Sequence, residues 1–403
     1  MKLGEKGIGG AREAYAAILF LGIVSLLGDI VYEGSRGLIP DYLRFLGASA
    51  FIVGMVGGFG EFIGYALRLL SGLLADSTRA YWSFIFLGYG LIASIPLLGF
   101  TKAWQVAAIL VLLERLGKAV RSPSRDTVLS IVSKGVGAGK AFGLHELLDQ
   151  IGAILGPLIV AFLMLYSAND YGYTFAFLLI PYAALMASLA FAHRRFGRKG
   201  TAPSVDRGNV SLKFRFLGKP LCLYSLAVLL NTAGLFPVAL ILYKASGILE
   251  SGQQWIVPLL YLLVQGVDAS IALFSGYAYD KLGPKILALP FILSIVPTPL
   301  ALKGGFDYLV AASISFGLIL GMQESIYRAA VSELSPISSR GTAYGFFNMA
   351  YGIGFLISGT IYGTIIDLGL PLLLSVLYVI SIQGAAIGLL HGALSIGLKP
   401  KKA

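Results

Sequence analysis

Hydrophobic positions along this chain fall in long blocks, without the short alternation of strands or the one-sided stripe of a surface helix. Apolar runs of about 20 residues, enough for a helix to cross a bilayer, lie near 14–35, 50–74, 81–100, 104–125, 139–166, 172–193, 219–243, 253–278, 284–302, 307–330, 341–366 and 370–393. Charged or Pro/Gly-rich turns separate them, so the pattern predicts an all-α membrane protein with twelve transmembrane helices. The first run continues through Asp29 and Glu33 and is read as the first span, not as a signal peptide. The longest polar stretch, His193 to Lys219, divides the spans six and six. It predicts an N-terminal lobe (1–193), a basic cytoplasmic linker (194–218) and a C-terminal lobe (219–403).

The halves share landmarks. GLLADSTR (Gly72–Arg79) follows the second span and GYAYDKLGPK (Gly276–Lys285) follows the eighth; Ala141, Gly143 and Gly152 recur as Ala343, Gly345 and Gly354. The offsets, 202 to 204 residues, are about half the chain, which argues for two pseudo-symmetric six-helix lobes.

Composition sharpens this picture. The chain is 57% hydrophobic and 13% charged, against about 25% charged in soluble domains. The net charge of +11 sits mainly in the turns, so no basic domain exists for nucleic acid to use. With cytoplasmic termini, 21 Lys/Arg fall inside and only Arg36, Arg44, Lys102, Lys244 and Lys303 outside. That bias predicts a cell (inner) membrane protein with both termini in the cytoplasm. One cysteine, Cys222, and three scattered histidines give no disulfide framework and no metal constellation. The glycine-rich turn around Gly135–Lys140 lacks the spacing and hydroxyl of a phosphate loop. No cofactor, metal or enzymatic site is therefore expected.

The GLLADSTR tract and its second copy resemble the loop motif of the major facilitator superfamily. The first copy departs after Thr78; the second keeps Gly283 and Lys285. ERLGKAVRSPSRD (Glu114–Asp126) looks like the fourth-helix tract of prokaryotic drug or metabolite exporters in that superfamily. Gly152, Gly156 and Pro157 resemble the start of a motif of its proton-linked exporters, without the terminal glycine pair. Small residues four apart also allow plain close packing, with the proline loosening the backbone.

Ionisable groups inside a bilayer are costly and are functional candidates by default. On the first span, Asp29 and Glu33 share one face. They stand either in a watery outer vestibule or within a solute cavity; the superfamily resemblance, which implies a cavity-lining first helix, favours Asp29 over Glu33. Glu33 is expected too far out to be screened from water. Glu61, Glu114, Arg115 and Asp268 fall near mid-span. Glu61 lies among Gly54, Gly57, Gly58, Gly60 and Gly64, a close-packing surface, and is read as a gate or a site. Glu114 and Arg115 are adjacent, point about 100° apart and are not expected to pair. Asp268 has no basic neighbour in sequence.

Lys118, Arg121 and Arg125 form one stripe, level with His145, Glu146 and Asp149 on the fifth span. Two readings stand: a static ion-pair lattice, or a lattice part of which breaks during transport, with a carboxylate taking up a proton as its basic partner leaves. Glu324 and Arg328 are expected to pair at i, i+4, and Asn231 is a further polar residue inside a span. Asp76, with Arg79, Arg125 or the helix start near Gly341 as expected partners, is read as an inner latch; Asp280 is its counterpart. Together these predict a monomeric proton-coupled antiporter exporting a small organic solute. A symporter or uniporter for a metabolite, anionic given Arg115 and Lys118, is the alternative. A non-transporting receptor would have only a linker of about 25 residues with which to bind a partner.

Overall fold

A computed structural model describes residues 10–133, 136–197, 218–336 and 339–397. Of the predicted linker, residues 198–217 lie outside the described residues, as do Lys134 and Gly135 of the glycine-rich turn. The described chain is helical throughout: α1 (Gly10–Phe45), α2 (Ala50–Thr78), α3 (Tyr81–Gly90, continued by short turns to Phe100), α4 (Trp104–Val132), α5 (Ala138–Tyr166) and α6 (Tyr171–Phe177 with Leu179–Phe196). The second set is α7 (Lys219–Gly234 with Val238–Ile248), α8 (Ile256–Leu282), α9 (Ala288–Leu293 with Pro297–Lys303), α10 (Phe306–Met322, Gln323–Tyr327, Arg328–Leu334), α11 (Arg340–Asp367) and α12 (Leu372–Gly397).

Among the described residues, ten stretches are long and apolar enough to cross a membrane. One of them, Ile256–Lys303, holds two helices because the chain turns at Gly283, whose φ of +69° suits a residue without Cβ. Trp104–Val132 is equally long, at 29 residues, but its charged stripe lowers its apolar character; it makes the twelfth. Helix α7 breaks at Leu235–Pro237, where proline cannot donate. Hydroxyls of Tyr378, Tyr362 and Ser358 donate to the carbonyls of Ala233, Gly234 and Leu235, satisfying groups that the break would otherwise leave bare.

The chain forms two compact units. The first gathers the described residues of Met1–Ser35, Leu67–Thr101 and Ile109–Val210; the second gathers Arg36–Ala66, Lys102–Ala108 and those of Ser211–Ala403. Helices α1 and α2 thus contribute to both. In the first unit α5 lies backbone-close on α1: a Cβ on Gly152 would come 2.6 Å from the Leu26 carbonyl oxygen, and one on Gly156 would come 2.7 Å from the Gly34 nitrogen. In the second unit the first half of α2 runs against α11, with Gly54 on Gly359, Gly58 on Phe355 and Gly363 on Ala50 and Phe51. Not every glycine of α2 packs closely, since Gly64 faces open space. Asp367, at the end of α11, closes this contact by accepting from the Ala50 and Phe51 amides, each at 2.9 Å. These are unpaired donors of a helix start, where a carboxylate is favoured.

Candidate functional site

Helices α1, α4 and α5 carry a buried ionic lattice in the first unit. The close approach at Gly152 and Gly156 brings α5 within reach of Asp29, and a Cβ on Gly152 would lie 2.7 Å from that of Asp29. Asp29 and Glu33 are 6% and 5% exposed. The outer-vestibule reading of these two is therefore corrected. Helix α1 continues to Phe45, well past the apolar run, so Glu33 sits inside the helix rather than near its end.

The pairs are specific. Lys118 Nζ lies 3.4 Å from Glu33 Oε1, and its ammonium is 4.8 Å from the centre of the Tyr32 ring. Arg121, almost fully buried, has its guanidinium 4.9 Å from the Tyr32 ring centre and 5.0 Å from that of Tyr89, and lies 3.8 Å from Glu114 Oε1. Aromatic faces supply electron density where water is absent. Arg125 contacts Asp149 Oδ2 at 3.5 Å and Asp126 Oδ1 at 3.0 Å, and donates to Ser25 Oγ at 2.9 Å. His145 Nδ1 stands 3.5 Å from the same Asp149 oxygen. Asp149, Glu33 and Lys118 are the charged neighbours that act on Asp29.

Several expectations need correction. Arg115 Nε does approach its neighbour Glu114, at 3.6 Å from Oε2. Helix directions separate the Cβ atoms, but two long side chains bend round the cylinder when no water is available to solvate them separately. Asp76 accepts from the Tyr81 hydroxyl at 3.0 Å, a partner the sequence reading did not name, while Arg125 is engaged with Asp149, Asp126 and Ser25. Glu146 is exposed and accepts from Gln150 at 3.3 Å. Asp280 is exposed. Asp268 is buried but not isolated, so the notion of an unpartnered carboxylate there lapses. Glu324 and Arg328 are exposed and lie in and beside a π-helical turn that the sequence pattern did not indicate. Glu61, within the second unit, pairs with Arg36 at 3.0 Å.

The second unit carries, besides the buried Asp268 and the Arg36–Glu61 pair, an uncharged polar network centred on Asn231. Its Nδ2 donates to Gln383 Oε1 at 2.8 Å and Ser294 Oγ at 3.1 Å. Its Oδ1 accepts from Gln323 Nε2 at 3.1 Å and the Tyr327 hydroxyl at 2.8 Å. Tyr351 donates to Gln323 Oε1 at 2.7 Å. All six are nearly inaccessible, and each bond satisfies a polar atom that would be costly to bury alone. Of this set the sequence reading singled out Asn231 only. Gln323 and Gln383 carry the same signal, an amide inside an apolar run, and Ser25, Tyr32 and Tyr89 of the first unit carry none.

The comparisons with known proteins agree with this architecture. The sequence matches the Major Facilitator Superfamily over residues 18–359. It is 36% identical over 385 residues to an uncharacterized protein of Mycobacterium tuberculosis (strain ATCC 25618 / H37Rv), covering 93% of each chain. It is 23% identical over 359 residues to multidrug resistance protein MdtH of Photorhabdus laumondii, covering 87% of this chain and 86% of that one. Among solved structures, the nucleoside transporter NupG superposes with a TM-score of 0.71 at 14% identity, covering 95% of this chain and 99% of that one. With twelve bilayer-length helices, charged groups buried inside them and a family match across most of its length, the chain belongs to the Major Facilitator Superfamily of secondary transporters.

Proposed function

We propose that this chain exports a small organic solute in exchange for protons, by alternating access of two lobes, 1–193 and 219–403, joined by the linker 194–218. The observation that carries the reading is the charge balance inside the first unit. Away from the helix ends, the parts of α1, α4 and α5 that lie in this unit hold four buried or half-buried carboxylates, Asp29, Glu33, Glu114 and Asp149, against four cations, Arg115, Lys118, Arg121 and Arg125. In a medium of low dielectric an extra positive charge is expensive. A proton and a cationic group of a solute therefore compete for the same carboxylates, and loading one expels the other.

Lys118 contacts Glu33 at 3.4 Å and attracts Asp29 and Asp149 more weakly. Protonating Asp29 releases Lys118 toward the other two, which is how proton uptake would be felt by α4 and α5 together. Arg121, Arg125 and His145 then re-pair with the shifted carboxylates, while Asp76 and Asp280 act as latches on the cytoplasmic side. The outward direction draws on the similarity to multidrug resistance protein MdtH. Symport of an anionic metabolite would need Arg115 or Lys118 open to the solute, whereas both contact carboxylates. The same reading places the protein in the cell (inner) membrane as a monomer with cytoplasmic termini.

The test begins with a thermal-shift screen of the purified protein against organic cations, organic acids, sugars and siderophore-like compounds. A compound that stabilises is then added to everted vesicles energised with a proton gradient. Proton release on addition supports exchange. Proton uptake together with the solute would replace it by symport, and binding without flux would identify a receptor.

A further inference from the structure

Among the described residues one segment, Gln323–Tyr327 of α10, winds as a π-helix. Such a turn carries one residue more than an α-turn and occurs mostly at functional positions. Unfavourable local geometry persists only where the surroundings over-determine it, and here they do. Asn231 Oδ1, from α7, accepts at both ends of the turn, from Gln323 at 3.1 Å and Tyr327 at 2.8 Å. Asn231 is itself held by Gln383 of α12 and by Ser294. Backbone carbonyls flanking the turn accept hydroxyls from three helices: Gly321 from Ser275 of α8 at 3.5 Å, Tyr327 from Tyr224 of α7 at 3.2 Å, and Arg328 from Tyr344 of α11 at 3.1 Å.

Every one of these donors and acceptors is uncharged. Each of these bonds can be traded singly against another hydroxyl or amide. A continuous α-helix over the same residues would rotate everything beyond the turn by about 100° about the helix axis, the angle of one residue. The rotated piece, Arg328–Leu334, includes Glu333, whose Oε2 accepts from Tyr279 at 3.3 Å. A switch of register would therefore re-aim a charged side chain while moving the segment along the axis by only one residue's rise, about 1.5 Å.

We propose that the π-turn of α10 is a two-register hinge, held in its wide register by Asn231, through which Arg328–Leu334 turns relative to Phe306–Met322 during the transport cycle. The hinge is independent of which solute is carried and of what drives it. Asn231 acts here as a positioning residue: it fixes the turn and need not touch the solute.

The experiment measures distances within the second unit by electron spin resonance, on the full chain in lipid nanodiscs. Labels are placed through Ser332→Cys on α10 and Ile396→Cys on α12, in a Cys222→Ser background. Two distance populations are expected. Tyr327→Phe and Tyr344→Phe each remove one hydroxyl from the clamp while keeping the ring, and each is expected to move the population ratio away from the wide register by about fivefold. Deletion of Ser325 removes the additional residue, so that a continuous α-helix carries Arg328–Leu334 in the orientation it has in the wide register, and is expected to leave that distance as the single population. A single distance population that neither phenylalanine variant shifts would overturn the hinge, as would a folded deletion variant that still shows two populations. If the deletion variant does not fold, the two phenylalanine variants decide.

Discussion

Arg125→Leu is expected to be the most damaging single change in the ionic lattice. The side chain is 18% exposed and its guanidinium meets Asp149 at 3.5 Å, Asp126 at 3.0 Å and Ser25 at 2.9 Å. Removing one partner of a buried pair costs about 3–5 kcal/mol, because the other charge is left uncompensated. The Asp126 side chain is 50% exposed and recovers water, so that contact contributes little. Asp149, 16% exposed, keeps His145 at 3.5 Å, a hydrogen bond with Ser25 and the attraction of Lys118. These facts place the loss near the lower end, about 3 kcal/mol.

Asp149→Asn should cost only about 1 kcal/mol, since an amide oxygen still accepts from Arg125, and Arg125 retains Asp126 and Ser25. The double variant leaves no stranded carboxylate, so it should be less damaging than the sum of the singles by about 1–2 kcal/mol. Equilibrium unfolding in mixed micelles, run as a double-mutant cycle, measures all three. The reasoning fails if Asp149→Asn is as damaging as Arg125→Leu, or if the two changes add to within about 0.5 kcal/mol.

Asp29→Asn should abolish gradient-driven accumulation of whichever compound the screen identifies while sparing exchange at equal pH; proteoliposome flux with and without a proton gradient checks this, and retained uphill transport moves the role to Glu114 or Asp149. Gly156→Ala should destabilise by about 1–3 kcal/mol because the new methyl meets the backbone of Gly34, whereas Gly143→Ala, which faces open space on the same helix, should be neutral or stabilising by up to about 1 kcal/mol. Thermal unfolding of the two variants in one detergent reads the contrast. Asp367→Ala should remove the cap from α2 at a cost of about 1 kcal/mol, seen as roughly fivefold faster amide exchange at Ala50 and Phe51, with Asp367→Asn intermediate.

How far the sequence reached can be told from particular residues. Bilayer-length apolar runs fix helix number because a spanning segment must satisfy its own backbone, and the members of the lattice stand out because charges are rare in such runs. Which charges meet was not legible, because pairing across helices depends on rotation and on where two backbones touch. Gly152 and Gly156 mark that contact on α5, but nothing in the sequence names Leu26 and Gly34 as their counterparts. Depth was misjudged for Glu33 because the 36-residue α1 outlasts its apolar run. The π-turn was invisible for a different reason. Its own five residues do not encode it, and the groups that hold it come from α7, α8, α11 and α12.

The first unit holds an extended lattice of ion pairs, whereas the second, beside the buried Asp268 and the Arg36–Glu61 pair, holds an extended neutral network, and the difference bears on coupling. In the first, Lys118, Arg121 and Arg125 meet carboxylates on α1, α4 and α5, so adding or removing one proton unbalances a neutral set and must be answered by re-pairing. In the second, Asn231, Gln323, Tyr327, Tyr351 and Gln383 share neutral bonds, whose rearrangement moves no net charge. A gradient of protons can act directly only on a set that titrates, and a helix can change register cheaply only where no ion pair has to be broken. A transporter with both needs placed in one half would make each register change pay the cost of separating charges. On the proposed exchange of solute for protons, the ionic lattice would supply the driving force and the neutral network the compliance, and the Tyr344→Phe and Asp29→Asn variants should therefore impair different steps: the first the distribution of distances within the second unit, the second the dependence of accumulation on the proton gradient.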